Sequence, residues 1–181
     1  DLDAKPGRLN ECLKNMLLLP NVDGNPKLDV EYLENLDSFM KGGVLTSFYQ
    51  PIIDLQGSRS MVACEALSRA KTKSLLGNPA LLFSYSAQKD CFSEIDSACT
   101  KSALTLAKDL PSEIDLFINV QPRSLTDPAF TENLLAAVTS NGRTTSTVVV
   151  ELTEQREVLN QKMFLAGLNS LKEMGFRGPH G

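Results

Sequence analysis

IDLFINV, residues 114–120, is a near-continuous apolar run of the kind a strand carries when it is buried on both faces. Helical patterns flank it. Upstream, Ile95, Cys99, Ala103 and Leu106 keep helical spacing inside a helical region predicted over about 79–108. Downstream, DPAFTENLLAAV (127–138) offers Asp127 as an N-cap and Pro128 at the first helical position. A second apolar run, STVVVEL (146–152), precedes REVLNQKMFLAGLNSLKEMG (156–175). That stretch reads as a helix with Phe164, Leu168 and Leu171 on one face and Gly175 as its terminator. A third apolar run, MVAC (61–64), follows LTSFYQPIIDL (45–55) across Gln56-Gly57-Ser58, so those two strands are expected to pair antiparallel. From residue 61 onward strand and helix alternate, which predicts an α/β fold built on a parallel sheet or barrel.

Toward the N-terminus, VEYLENLDSFM (30–40) repeats apolar residues every three to four positions after Asp29 and before Gly42-Gly43. A helix over about 30–41 is predicted. RLNECLKNMLLL and the loop-forming PNVDGNP before it make residues 1–28 an N-terminal extension or linker, with the domain over 29–181.

The chain has 181 residues, 42% apolar and 22% charged, enough for one domain with a sizeable core. A net charge of −4 and an isoelectric point near 5.1 argue against a DNA or RNA polymer as partner and leave a nucleotide to be held locally. No apolar run reaches the roughly 20 residues of a membrane span, and DLDAKPGRLNE lacks the features of a signal peptide, so a cytoplasmic protein is expected. Cys12, Cys64, Cys91 and Cys99 show no CxxC spacing, which favours reduced, core-packed thiols. The one histidine, His180, stands beside the last residue, and this disfavours a Ser-His-Asp or Cys-His hydrolase. Chemistry must then run on carboxylates and amides.

In an α/β barrel the C-terminal ends of the strands line the active-site mouth. Reading each strand to its end puts Glu65 after MVAC, Asn119 within IDLFINV and Glu151 after VVV, three oxygen donors on one rim. Two carboxylates and an amide suit a hard divalent cation. Each of them taken singly also reads as an ordinary satisfied polar group at a strand end.

Several segments, in order, resemble the signatures of the EAL domain family. Phe48-Tyr49-Gln50-Pro51-Ile52-Ile53-Asp54-Leu55 is similar to its opening YQPIVDL strand, and Cys64-Glu65-Ala66-Leu67-Ser68-Arg69 carries its naming tripeptide and the arginine that follows. The segment from Pro79 to Asp96 resembles the family's next helix-forming stretch. Ile118-Asn119-Val120-Gln121-Pro122-Arg123 resembles its N-x-S-P segment, with glutamine where serine is usual, and Glu151-Leu152-Thr153-Glu154 its E-x-T-E segment. The resemblance implies a TIM-like (β/α) barrel with an antiparallel first strand, of which this chain carries the first part. It also implies metal-dependent hydrolysis of cyclic di-GMP to linear pGpG in bacterial second-messenger signalling. Mg²⁺ or Mn²⁺ would be held by Glu65, Asn119 and Glu151, with Glu154 in support; Gln50, Leu67 and Arg69 would meet the nucleotide, a guanine and a phosphate respectively. Cyclic di-GMP, a second copy of the chain and an upstream sensory or GGDEF module are the partners it implies.

The resemblance covers about residues 30–177. The family's paired aspartates and its later lysine, glutamate and glutamine lie past that point, and Phe176-Arg177 is expected to open the strand that bears the aspartates. A fragment of a longer protein is the first expectation, a remainder left out the second, and a half-domain used for interaction the third. The alternative function is accordingly a catalytically inactive EAL module that binds cyclic di-GMP or a partner protein.

Overall fold

The computed structural model describes residues 45–57, 59–70, 79, 82–83, 86, 91–153 and 160–178. The extension over 1–28, the helix over 30–41, Cys12, Glu154 and His180 lie outside the described residues.

Four strands form one sheet in the order β1 (Leu45–Ile53), β2 (Met61–Ala70), β3 (Asp115–Val120), β4 (Val148–Leu152). β1 pairs antiparallel with β2, from Leu45 opposite Ala70 to Ile53 opposite Met61, whereas β2–β3 and β3–β4 are parallel. The expected α/β architecture with an antiparallel first strand is therefore present, and the sheet is not closed. After the last helix, Arg177 bridges Val149 in parallel: its N–H donates to the Val148 carbonyl and its own carbonyl accepts from Val150 N–H. An isolated parallel bridge thus stands where the sequence predicts a further strand to open. The guanidinium of Arg177 reaches across β4 to the Asp115 carboxylate and ties this bridge to the start of β3.

Among the described residues, α1 (Phe92–Leu106), α2 (Pro128–Ser140) and α3 (Gln161–Glu173) cover one face of the sheet. Their caps are written in the sequence. Asp127 accepts from Ala129 N–H with Pro128 following, and Asn160 accepts from Met163 N–H. Asn160 therefore starts α3 five residues later than the periodicity of 156–175 predicts. α3 ends in a Schellman turn, with Phe176 N–H donating to the Leu171 carbonyl, Gly175 N–H to that of Lys172, and Gly175 at φ 82°. The region predicted as one helix over 79–108 is broken at Cys91, whose ψ of 42° is not helical. No Gly or Pro marks that break.

Between the helices and the sheet lies the core. Cys64 and Ala66 of β2, Leu116, Ile118 and Val120 of β3, and Val148 and Val150 of β4 meet Leu104, Phe130, Leu134, Val138 and Leu171. Each large side chain buried here contributes about 1.5–3 kcal/mol. Cys64, Cys91 and Cys99 are buried thiols in no disulfide among the described residues, as expected. Burial in β3 alternates strictly: Leu116, Ile118 and Val120 are buried while Asp115, Phe117 and Asn119 are half-buried. IDLFINV is thus covered fully on one face only, because among the described residues no layer lies over the other. On that open face Phe48 is 63% exposed.

α3 approaches the Ser124–Thr126 turn closely at Gly167, where an added Cβ would sit 2.2 Å from the Leu125 carbonyl oxygen. Backbone cannot yield as a flexible side chain can. Gly167→Ala is expected to lower stability by about 1–3 kcal/mol, measured by urea unfolding, with the secondary structure retained.

Candidate metal and nucleotide site

Since successive strand side chains point to opposite faces, the pairing register settles which residues share a surface. Gln50 stands opposite Glu65, Phe48 opposite Leu67 and Thr46 opposite Arg69. Glu65 is level with Phe117 on β3, and Asn119 is level with Glu151 on β4. All six residues singled out in the sequence, Gln50, Glu65, Leu67, Arg69, Asn119 and Glu151, consequently alternate with the core-facing positions of their strands. The core-facing set is the complementary one.

The six do not converge equally. Asn119 Nδ2 donates to Glu65 Oε1 at 2.7 Å. The charge of Glu65 also reaches Glu151, whose carboxyl is held above the ordinary value by burial first and by Glu65 second. Glu65, Asn119 and Glu151 thus form one group across three strands. Leu67 and Arg69 lie farther along β2, past the Ala66–Ile118 pair where its ladder with β3 ends, and Arg69 Nη1 donates to the Ser68 carbonyl. With Asn119 and Thr153 they line a cavity of about 160 Å³ whose far wall is Cys99 and Thr100 of α1. Gln50 is exposed.

Glu65 is not at the end of its strand, as the reading of MVAC predicts. β2 runs on to Ala70 because β1 keeps pairing with it as far as Leu45. Only the parallel ladder stops near Glu65, and it is this ladder that forms the rim.

Among the described residues no three His, Cys, Asp or Glu side chains gather as a metal site. The third donor here is an amide. Two half-buried carboxylates, with that of Glu151 held up by burial and by the charge of Glu65, beside an amide whose nitrogen is turned to Glu65, fit a hard divalent cation. Such a cation would offset the repulsion between them.

Three further features underlie the site. Asp96, near the start of α1 and 1% exposed, accepts from Gln121 N–H at 2.8 Å and from Ser124 Oγ at 2.6 Å. Gln121 is 3% exposed, and among the described residues its Nε2 has no hydrogen-bond partner, nor has Oγ1 of Thr153, which lines the cavity. Tyr49 faces the helices, donates to the Ala103 carbonyl at 2.5 Å and so fastens β1 beside Gln50; burial pushes its hydroxyl up to about 12. The sequence signal for Thr153 is its place in Glu151-Leu152-Thr153-Glu154, whereas Asp96 gives none beyond its order before the long helix.

Residues 33–177 match the EAL domain family. The chain belongs to that family. Among solved structures it is similar to the EAL domain of FimX from Xanthomonas citri in complex with c-di-GMP, at 16% identity and a TM-score of 0.69 over 84% of this chain and 60% of that one. It is similar as well to the EAL enzyme Bd1971 bound to cAMP and cyclic di-GMP (23% identity, TM-score 0.66, 94% and 48% covered). A third is BlrP1 from Klebsiella pneumoniae in a calcium and cyclic di-GMP complex (20% identity, TM-score 0.60, 98% and 50% covered). The chain spans 48–60% of the length of these three. At such identities the likeness is one of fold, and it agrees with the open sheet of this EAL chain. No curated protein matches it.

Burial pushes the Asp96 carboxyl from 3.8 up to about 6, against the lowering effect of Ser124 and Gln121. A folded value above the unfolded one means that protonation favours the fold: the gain is full below about pH 3.8 and is lost as pH rises through about 6. Relative to Asp96→Asn, the wild-type chain is expected to gain about 1.4 kcal/mol as pH falls from about 7.5 to about 5, measured by paired denaturant titrations.

Proposed function

We propose that this chain is the metal-binding and nucleotide-binding part of a cyclic di-GMP phosphodiesterase domain, hydrolysing cyclic di-GMP to linear pGpG. The observation that carries the reading is the Glu65–Asn119–Glu151 group at one rim of the parallel sheet, joined by the 2.7 Å bond and by the field of Glu65 on Glu151. Family membership and the cyclic di-GMP complexes named for its structural relatives support it. Glu65, Asn119 and Glu151 hold Mg²⁺ or Mn²⁺. Bound there, the cation supplies positive charge for the phosphodiester and acidifies water.

The chain's own groups then orient the substrate. Gln50, exposed opposite Glu65, meets the nucleotide; Leu67 offers an apolar face to a guanine; Arg69 gives a phosphate its positive charge. Residues 29–181 are the domain and 1–28 its link to an upstream sensory or GGDEF module, in a cytoplasmic protein that pairs with a second copy. Among the described residues no helix is long and apolar enough to cross a membrane.

A second reading, a receptor that binds cyclic di-GMP without cleaving it, is favoured by Gln121. Its buried, unpartnered amide nitrogen stands two residues after Asn119, where the family resemblance leads one to expect serine.

Incubating the full-length protein with cyclic di-GMP and Mn²⁺ and resolving products chromatographically separates the two readings. The phosphodiesterase yields linear pGpG; binding without product leaves the receptor. Glu65→Ala is expected to reduce turnover at least about a hundredfold, beyond what loss of an outer partner costs. Its unfolding free energy should stay within about 0.5 kcal/mol of wild type, since relief of Glu151 offsets the lost Asn119 bond. A chain that binds neither Mn²⁺ nor the nucleotide in calorimetry rules out both readings.

A further inference from the structure

The Val120–Gln121 peptide group, immediately after Asn119, is held at both ends. Its carbonyl accepts from Thr153 N–H at 3.1 Å, which ties it to the exit of β4 two residues beyond Glu151. Its N–H points the other way, out of the ladder, and donates to Asp96 Oδ2 at 2.8 Å. The same carboxylate oxygen accepts from Ser124 Oγ at 2.6 Å, and Ser124 N–H closes the turn on the Gln121 carbonyl at 3.0 Å. A planar peptide cannot turn one end without the other. Hydrogen bonds linked through it also polarise one another, most strongly when the terminal acceptor is charged.

We propose that Asp96 is a positioning residue for the Glu65–Asn119–Glu151 group: from near the start of α1 it clamps the peptide that follows Asn119 and, through Thr153, the strand end that carries Glu151. Burying a carboxylate is costly, and the two hydrogen bonds offset only part of that cost. Packing alone would be better met by an apolar residue. What the carboxylate adds is a fixed direction for the exits of β3 and β4. The inference rests on the metal-binding reading above, but its first test does not.

In the full-length protein, amide hydrogen exchange is compared for wild type, Asp96→Asn and Ser124→Ala, together with Mn²⁺ affinity by calorimetry. In Asp96→Asn, which keeps the shape and weakens the acceptor, Thr153 N–H is expected to lose protection at least about tenfold, while Leu134 N–H in α2 stays within about twofold. Ser124→Ala, which leaves the peptide clamp in place, should change Thr153 by less than about threefold. Mn²⁺ should bind about tenfold more weakly to Asp96→Asn. Unchanged Thr153 protection, or an equal loss at Thr153 and Leu134, overturns the proposal, as does unaltered Mn²⁺ affinity in a variant with lowered Thr153 protection. If wild type itself takes no Mn²⁺, the metal-binding reading fails, and the contrast between Thr153 and Leu134 decides the clamp alone.

Discussion

A pleated strand turns alternate side chains to opposite faces, and β3 keeps that alternation without a bulge from Asp115 to Val120. Leu116, Ile118 and Val120 are thereby committed to the helices, and Asp115, Phe117 and Asn119 to the open face. Because β2 and β4 pair with β3 in fixed register, the choice propagates: Cys64, Ala66, Val148 and Val150 join the core, while Glu65 and Glu151 are turned to the side where Asn119 stands. A slip of one residue in either ladder would put a carboxylate against Phe130 or Leu134 and an apolar side chain on the rim. The apolar face therefore enforces the polar site. Burial of several Leu, Ile, Val and Phe side chains, each contributing about 1.5–3 kcal/mol, exceeds the cost of gathering two acids on the opposite surface.

Much of this was legible in the chain itself. Three apolar runs alternating with helical periods predict the parallel part of the sheet, and Asp127-Pro128 and Gly175 mark helix ends that the structure places at those residues. Glu65, Asn119 and Glu151 follow from reading which residue stands at or near each strand's exit, Gln50, Leu67 and Arg69 only from the family resemblance, and the register gives all six the same side of the sheet. Three things were not legible. Cys91 breaks a helix with no Gly or Pro to announce it, Asn160 delays α3 by offering a cap inside a helical period, and β2 outlasts its apolar run because β1 continues to pair with it. In each case a local hydrogen bond or a neighbouring strand outweighs periodicity, and periodicity is blind to both.

Asp96, marked in the sequence only by the resemblance of its segment to the family, is a different case. Its sequence neighbours, Ile95 and Ser97, give no reason to set it apart from any other acid on a helix. Its partners, Gln121 and Ser124, are 25 and 28 residues away. Only the packing of α1 against the exit of β3 brings the carboxylate to an N–H that the ladder leaves unpaired. Buried backbone donors almost always find partners, so the Gln121 N–H had to be met by something, and a charged acceptor meets it most firmly.

The same reasoning bears on Gln121. Its backbone is satisfied by Asp96, yet its side-chain nitrogen is buried without a partner, a state that costs roughly 1–3 kcal/mol. Thr153 Oγ1, buried and also unpartnered, is the second such atom near the rim. Natural chains keep few of these atoms, since each one lowers stability unless a ligand or water satisfies it. Two such atoms, in residues that follow Asn119 and Glu151 at two positions' remove, leave polar demand unmet among the described residues at this edge of the sheet. The opposite face shows the contrast: its apolar side chains pack against the helices, and Arg143, buried at the other end of the sheet, donates to the carbonyls of Ile114, Leu110 and Pro111. Stability is concentrated on the helical side and unmet polar demand at the rim, a division expected where a fold holds a binding site in place.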